Sequence, residues 1–517
     1  MTNPAPGRAG MYWFAALSTL MLACLLRLWV MPMTSSLWVD EMVTSFVVRF
    51  PHDPSFAVAP QVPASVYYSI PRALWNWIGA SEETLRAPSL VAMLMAIWVI
   101  ALIARKTISP RAGWLAVFLC LTLHWFNYFA IDARPYGLGI AVSSASVLFL
   151  IRWFDEGRWT DALLFTVLAA ALWRIHLLYW PFYLVYAIYG AARLARPGRL
   201  ADTRLQSRLW PSRASRLQIA TVLIAICGAS VPVVRKAAEL MTGAQAHVFN
   251  PAPTILSFLY MVHLNVVVIC GGLAAIVFGY VKGRVPLRIA GSSWALFLCW
   301  WLLTPACIFG YSLLSGNGIF ISRYVSLMYP GIALVATALV ARLVPERAMR
   351  PAAVIAGVTA LLLMGQWTIR WPRHEISDWR TAASFERRLA DNRTPVLCVS
   401  PFIEAQTPAW TPGYPLSSFL YSHLSYYPMR GSLKPLPFTR SLQSDLYAGT
   451  LLKDELIPSG RFLLYGPLGG SENMLNYLSS RPELFQWQIA ARQFGDVLLV
   501  EFRAPDTAAT TEATLRK

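Results

Sequence analysis

A chain of 517 residues that is 56% hydrophobic and 14% charged is no ordinary soluble protein, since such proteins carry about 25% charged residues. The formal net charge of +18 would suit a nucleic-acid partner. Much of the excess sits in short loops between apolar runs, which is the topology signal of a membrane protein and excludes that reading. The 21 Trp and 21 Tyr fit span ends held at the two bilayer interfaces.

The first apolar run, 11–31, carries only Arg27 and has no small-residue cleavage site behind it, so it is expected to be a retained span. Asp40 and Glu41 follow it directly. Two adjacent carboxylates at a membrane surface are either solvated loop acids or functional groups, because lipid disfavours them. The loop that holds them, about 32–88, is longer than a connection requires. Its stretch Ser65–Trp77 is an aromatic-rich amphipathic segment suited to the interface plane.

Further spans are expected at 89–104, 114–131, 138–151, 162–178, 179–192, 217–234, 255–281, 289–314, 325–344 and 352–369. The total is about eleven, each near the roughly 20 residues a bilayer demands. The boundary between 178 and 179 is the least distinct, because that pair reads almost continuously. Basic residues fall in alternate loops: Arg105, Lys106 and Arg111; Arg152 and Arg158; seven arginines from Arg193 to Arg216; Lys282, Arg284 and Arg288; Arg342, Arg347 and Arg350. That side is expected to be cytoplasmic. The N-terminus then lies inside, and Asp40, the 131–137 turn and everything after 370 lie outside.

The segment after 370 is too polar for lipid. A helix is expected with Ser377 as N-cap and 378–389 as body, and strands at 396–399, 462–465 and 497–502. The domain organisation expected is therefore a membrane module over 1–369, an extracytoplasmic α/β domain over 370–503 and a frayed tail over 504–517. Six of seven cysteines fall in apolar spans, leaving Cys398 alone outside, so no disulfide framework holds that domain. There is no P-loop, no dinucleotide fingerprint and no histidine spacing for zinc. No cofactor is required by any motif; a carboxylate pair can take a divalent cation, but no second ligand cluster assigns one.

Several segments together resemble the GT-C glycosyltransferases, specifically the bacterial branch akin to protein O-mannosyltransferases and the lipid A aminoarabinose transferase. They are Asp40-Glu41 after the first span, Pro63-Ala64-Ser65-Val66-Tyr67-Tyr68, and Leu85-Arg86-Ala87-Pro88-Ser89. Then come Asp132-Ala133-Arg134-Pro135-Tyr136-Gly137-Leu138, Ile175-His176-Leu177-Leu178-Tyr179, and Ser322-Arg323-Tyr324-Val325-Ser326-Leu327-Met328-Tyr329-Pro330. Gln61 departs from the pattern, standing near where many relatives carry His.

The resemblance implies a polytopic α-helical GT-C membrane protein whose donor is a sugar on a polyprenyl phosphate. The acceptor is the hydroxyl of a lipid, glycan or protein, and membrane lipids are its other partners. Inverting transfer needs one base, a role that falls to Asp40, with Glu41 sharing it, orienting it or holding a sugar hydroxyl. Arginine suits the departing phosphate through its bidentate fork, which points to Arg134 and Arg323, with Arg86 behind them. Asp132, Tyr136, His176 and Tyr324 complete the expected substrate-binding set. Each has a structural alternative: an Asp132–Arg134 pair ending two spans, a snorkelling Arg323, a buried and satisfied His176. The competing classes are a lipid-linked sugar flippase, which would show mid-span polar residues or repeats, and a polysaccharide ligase or polymerase, which would need no acidic pair after the first span.

Overall fold

The structure is a computed structural model that describes residues 8–195, 213–241, 251–278, 287–368, 370–406 and 410–505. Arg196, Arg199, Arg204, Arg208, Lys282 and Arg284 of the basic loops, and nearly all of the 504–517 tail, lie outside these residues.

In chain order the helices are α1 (Arg8–Leu25), α2 (Val39–Arg49), α3 (Ser69–Ile78), α4 (Glu82–Thr107), α5 (Ala112–Leu121), α6 (His124–Ala130), α7 (Tyr136–Glu156), α8 (Trp159–Ile175), α9 (Phe182–Leu194) and α10 (Arg216–Met241). There follow α11 (Ile255–Met261), α12 (Leu264–Phe278), α13 (Gly291–Ser315), α14 (Tyr329–Leu343), α15 (Met349–Met364), α16 (Trp379–Leu389), α17 (Ser422–Tyr426), α18 (Leu442–Leu451) and α19 (Leu468–Ser479). Five strands complete the chain: β1 (Pro395–Val399), β2 (Ser432–Leu436), β3 (Arg461–Pro467), β4 (Gln488–Phe494) and β5 (Val497–Arg503). The protein is a multi-pass helical membrane protein with a small C-terminal sheet.

Among the described residues seven helices are long and apolar enough to cross a membrane, or up to nine if each of two bent pairs counts as one span. The expected count of about eleven is lowered at three places. The run 114–131 is not one helix: α5 and α6 meet at 86°. Asn127 makes the break tolerable in an apolar setting, giving its amide protons to the carbonyls of Leu121 (2.7 Å) and Leu123 (3.2 Å) and accepting the Trp29 indole proton at 3.0 Å. The run from 255 breaks by 55° between α11 and α12, where His263 adopts φ +51 and the Val262 carbonyl accepts the Trp301 indole proton at 2.7 Å. The third place is the junction near 178. Helix α8 stops at Ile175, a short 3-10 turn follows, and α9 restarts at Phe182 as 13 residues.

The chain divides into two compact units. One comprises Met1–Met33, Ser65–Tyr67 and Arg86–Pro372; the other comprises Thr34–Ala64, Tyr68–Leu85 and Arg373–Lys517. The long loop after the first span, expected as part of the membrane module, thus belongs mostly with the C-terminal segment. Within that second unit the hydrogen bonds say why. Tyr427 accepts the Leu37 N–H at 2.9 Å and donates to Glu82 at 2.9 Å, while Arg380 pairs with Glu82 at 2.7 Å and donates to the Thr34 carbonyl at 2.9 Å.

The sheet has order β2-β1-β3-β5-β4, with β1 parallel to β2 and β3, and β5 antiparallel to β3 and β4. The three buried strands coincide with the expected ones, and the two edge strands were missed. β2 carries Pro435 and β4 reads Gln-Ile-Ala-Ala-Arg-Gln-Phe, exposed almost throughout, so neither shows an apolar run. The expected helix at 378–389 begins one residue later, because Asp378 rather than Ser377 is the N-cap, accepting the Thr381 N–H at 3.1 Å.

Candidate active site

In the second unit, Asp40 and Glu41 open α2, where the helix dipole favours acidic groups. Glu41 is fully buried and its carboxylate accepts the backbone N–H of Trp38 at 3.3 Å, closing the first turn. Its other oxygen lies 3.9 Å from Nε2 of His374, itself 1% exposed. Asp40 keeps partial exposure. Sequence reasoning passed over His374, which sits in a polar stretch with no spacing to mark it. Glu41 and His374 are donors of the types that divalent cations take.

In the first unit, three segments far apart in sequence carry most of the expected substrate-binding residues: 132–136, 176–179 and 323–324. Asp132 and Arg134 lie in the turn before α7, where Asp132 is buried and its carbonyl accepts the Arg134 N–H at 2.7 Å. Tyr136 is the first residue of α7, buried, its ring 5.6 Å from the His176 imidazole. His176 itself ends α8 in extended backbone (φ −154). Tyr179 lies 5.1 Å from that imidazole and Tyr324 5.4 Å, so three tyrosine rings surround it. Arg323 stacks over the Tyr324 ring at 5.5 Å.

His176 Nδ1 accepts the Leu178 N–H at 3.3 Å. A ring nitrogen that accepts carries no proton, so the ring is neutral and Nε2–H is its donor. Arg323 reaches this cluster through the Tyr324 ring, and Arg134 lies two residues before Tyr136. Guanidinium groups and a neutral N–H donor are suited to an oxyanion.

Arg86 is fully buried and donates to the Met33 carbonyl at 2.7 Å, tying down the end of the first span. Arg174 turns away from His176, to the Ala229 carbonyl on α10 at 3.2 Å. In the second unit the aromatic run 421–427 is core: Tyr421 is fully buried and donates to the Leu436 carbonyl at 2.7 Å.

Comparison with known proteins agrees with this architecture. Residues 66–199 match the family model described as dolichyl-phosphate-mannose-protein mannosyltransferase. Among solved structures, ArnT from Cupriavidus metallidurans in the apo state is similar at 11% identity and TM-score 0.55, covering 95% of this chain and 98% of that one. The same protein bound to undecaprenyl phosphate gives 11% identity and TM-score 0.53, covering 94% and 98%. A search of curated protein sequences gave no match. The class is therefore a multi-pass membrane protein with the GT-C glycosyltransferase fold. The expected likeness to the protein O-mannosyltransferase and ArnT branch holds both for the matched segment and for the fold of nearly the whole chain.

Proposed function

We propose that this protein transfers a sugar, with inversion, from a polyprenyl-phosphate donor to a hydroxyl on a lipid, glycan or protein, at the outer face of the bacterial cytoplasmic membrane. The observation that carries the reading is the His176 imidazole inside a ring of three tyrosines, with Arg323 stacked over one of them, Tyr324, and Arg134 two residues before another, Tyr136. A phosphate leaving a sugar gains negative charge in the transition state, and preorganised cations there lower the barrier by several kcal/mol. That ArnT was crystallised with undecaprenyl phosphate supports a donor of this chemistry.

In this mechanism Asp40 accepts the proton of the attacking hydroxyl. Glu41 is already engaged by the Trp38 N–H and lies beside His374, which suits an orienting role. The acceptor oxygen attacks the anomeric carbon as the bond to the phosphate oxygen breaks, and Arg134, Arg323 and His176 Nε2–H hold the released lipid phosphate. No nucleotide or redox group enters, because the activated bond arrives with the donor. A flippase would bind the same lipid without this base.

The test is transfer from a radiolabelled polyprenyl-phosphate sugar in membranes with and without the protein. Mass spectrometry of the glycolipid and glycoprotein fractions then identifies sugar and acceptor. Donor movement across the bilayer with no product formed would favour the flippase instead.

A further inference from the structure

We infer that two tyrosine–serine hydroxyl pairs, Tyr67–Ser89 and Tyr179–Ser326, are the positioning residues for Arg134 and Arg323 respectively; this rests on the proposed role of the two arginines in holding lipid phosphate. Ser89 Oγ donates to the Arg134 carbonyl at 3.3 Å. Its single proton is then spent, so the Tyr67 hydroxyl, 3.2 Å away, must be the donor to Ser89. The result is a directed relay, Tyr67 to Ser89 to the Arg134 backbone, with Tyr67 and Ser89 both fully buried.

The second pair fixes the turn three residues beyond the other arginine. Tyr179 Oη and Ser326 Oγ are 3.0 Å apart and both residues are fully buried. Ser326 begins the short 3-10 turn Ser326–Met328 that directly follows Arg323 and Tyr324. A second tether acts on the same turn, where the Trp300 indole donates to the Leu327 carbonyl at 2.7 Å. Tyr179 is in turn seated by α7: a Cβ at Gly139 would fall 2.7 Å from its phenol oxygen, so only glycine leaves the ring its place.

A flexible arginine side chain gains little from being near a phosphate unless its backbone is fixed, and misplacement by about 1 Å can cost about 10²-fold. Both loops lack regular secondary structure at the arginine itself, so side-chain hydroxyls supply what a helix or strand would otherwise supply. A buried tyrosine–serine pair thus stands at the backbone of each arginine segment, at the carbonyl itself for Arg134 and at the following turn for Arg323.

The test is a pair of double-mutant cycles read by the affinity of the purified full-length protein for undecaprenyl phosphate. Tyr179→Phe keeps the ring against His176 and removes only the hydroxyl. It is expected to weaken binding about five- to tenfold, the size of one lost hydrogen bond, and by less than about twofold in the Arg323→Ala background. Tyr67→Phe is expected to show the same dependence on Arg134. Ser326→Ala attacks the second bond from its other end and should reproduce Tyr179→Phe, the double variant being no worse than either. Equal losses in the presence and absence of the partner arginine, or no loss in either phenylalanine variant, would overturn the inference alone. Wild-type protein that does not bind undecaprenyl phosphate would overturn the proposed function, and this inference with it.

Discussion

The carboxylate of Glu41 lies 3.9 Å from Nε2 of His374, with both side chains closed to solvent. The second acid of the Asp-Glu pair is thereby committed to local structure, at the start of α2 and beside a histidine from the far end of the chain. Asp40, the first acid of the pair, keeps partial exposure. Asp40→Asn should therefore abolish transfer, by on the order of 10²- to 10⁴-fold in rate, while folding and donor binding persist. Glu41→Gln should cost less in rate and more in thermal stability, because a buried anion's partners lose their charge complement. Transfer assays normalised to folded protein separate the two; wild-type turnover by Asp40→Asn would remove the base from the mechanism.

Arg134→Lys keeps the charge and loses the fork. If Arg134 holds phosphate bidentately, the lysine variant should lose about 1.5–3 kcal/mol of donor affinity, close to the loss in Arg134→Ala. Titration with undecaprenyl phosphate measures this. Unchanged affinity in both variants would assign the residue to structure.

The orientation is open to a direct check. Basic residues in alternate loops predict that Asp40, Asp132, the Gly316-Asn317-Gly318 turn and the C-terminal segment share the outer compartment. In a variant lacking the seven native cysteines, single cysteines at exposed positions such as Leu442 and Phe485 should react with an impermeant maleimide in intact cells. Reaction only after the membrane is breached would reverse the orientation.

The C-terminal segment should lose stability as pH rises. Glu386, on α16, is fully buried and accepts only the Arg430 N–H at one oxygen, 3.1 Å away. Burial pushes its carboxyl up to about 7, against the weaker opposing effects of that hydrogen bond and of Arg387 and Arg430. A carboxyl whose folded pKa exceeds its unfolded value binds its proton more tightly when folded. Its contribution is thus complete below the ordinary carboxylate range and is lost as pH rises to about 7, with no further change above. Hydrogen exchange of α16 between pH 4 and 8 should show that decline, and Glu386→Gln should flatten it.

Much was written in the sequence in the form of composition and period. Bilayer-length apolar runs have few alternatives, since backbone groups in lipid must bond within their own helix, and α1, α4, α7, α10, α13, α14 and α15 follow them closely. The buried strands β1, β3 and β5 were legible for the same reason, as short apolar runs. The local motifs around Asp40, Arg134, His176 and Arg323 marked candidates because residue type and the family resemblance advertise acid, base and phosphate chemistry.

What only the tertiary structure decided depends on partners distant in the chain. The 86° break between α5 and α6 stands because Asn127 and Trp29 satisfy it, and no window of sequence around 122 contains both. Arg86 reaches back to donate to the Met33 carbonyl, a partner 53 residues away. The edge strands β2 and β4 exist only because β1 and β5 offer them a ladder to join. His374 gained its place by meeting Glu41, and Tyr179 by meeting Ser326 and the space left at Gly139. A hydrogen bond between residues so far apart leaves no period in the sequence, because its geometry is fixed only once the helices between them have packed.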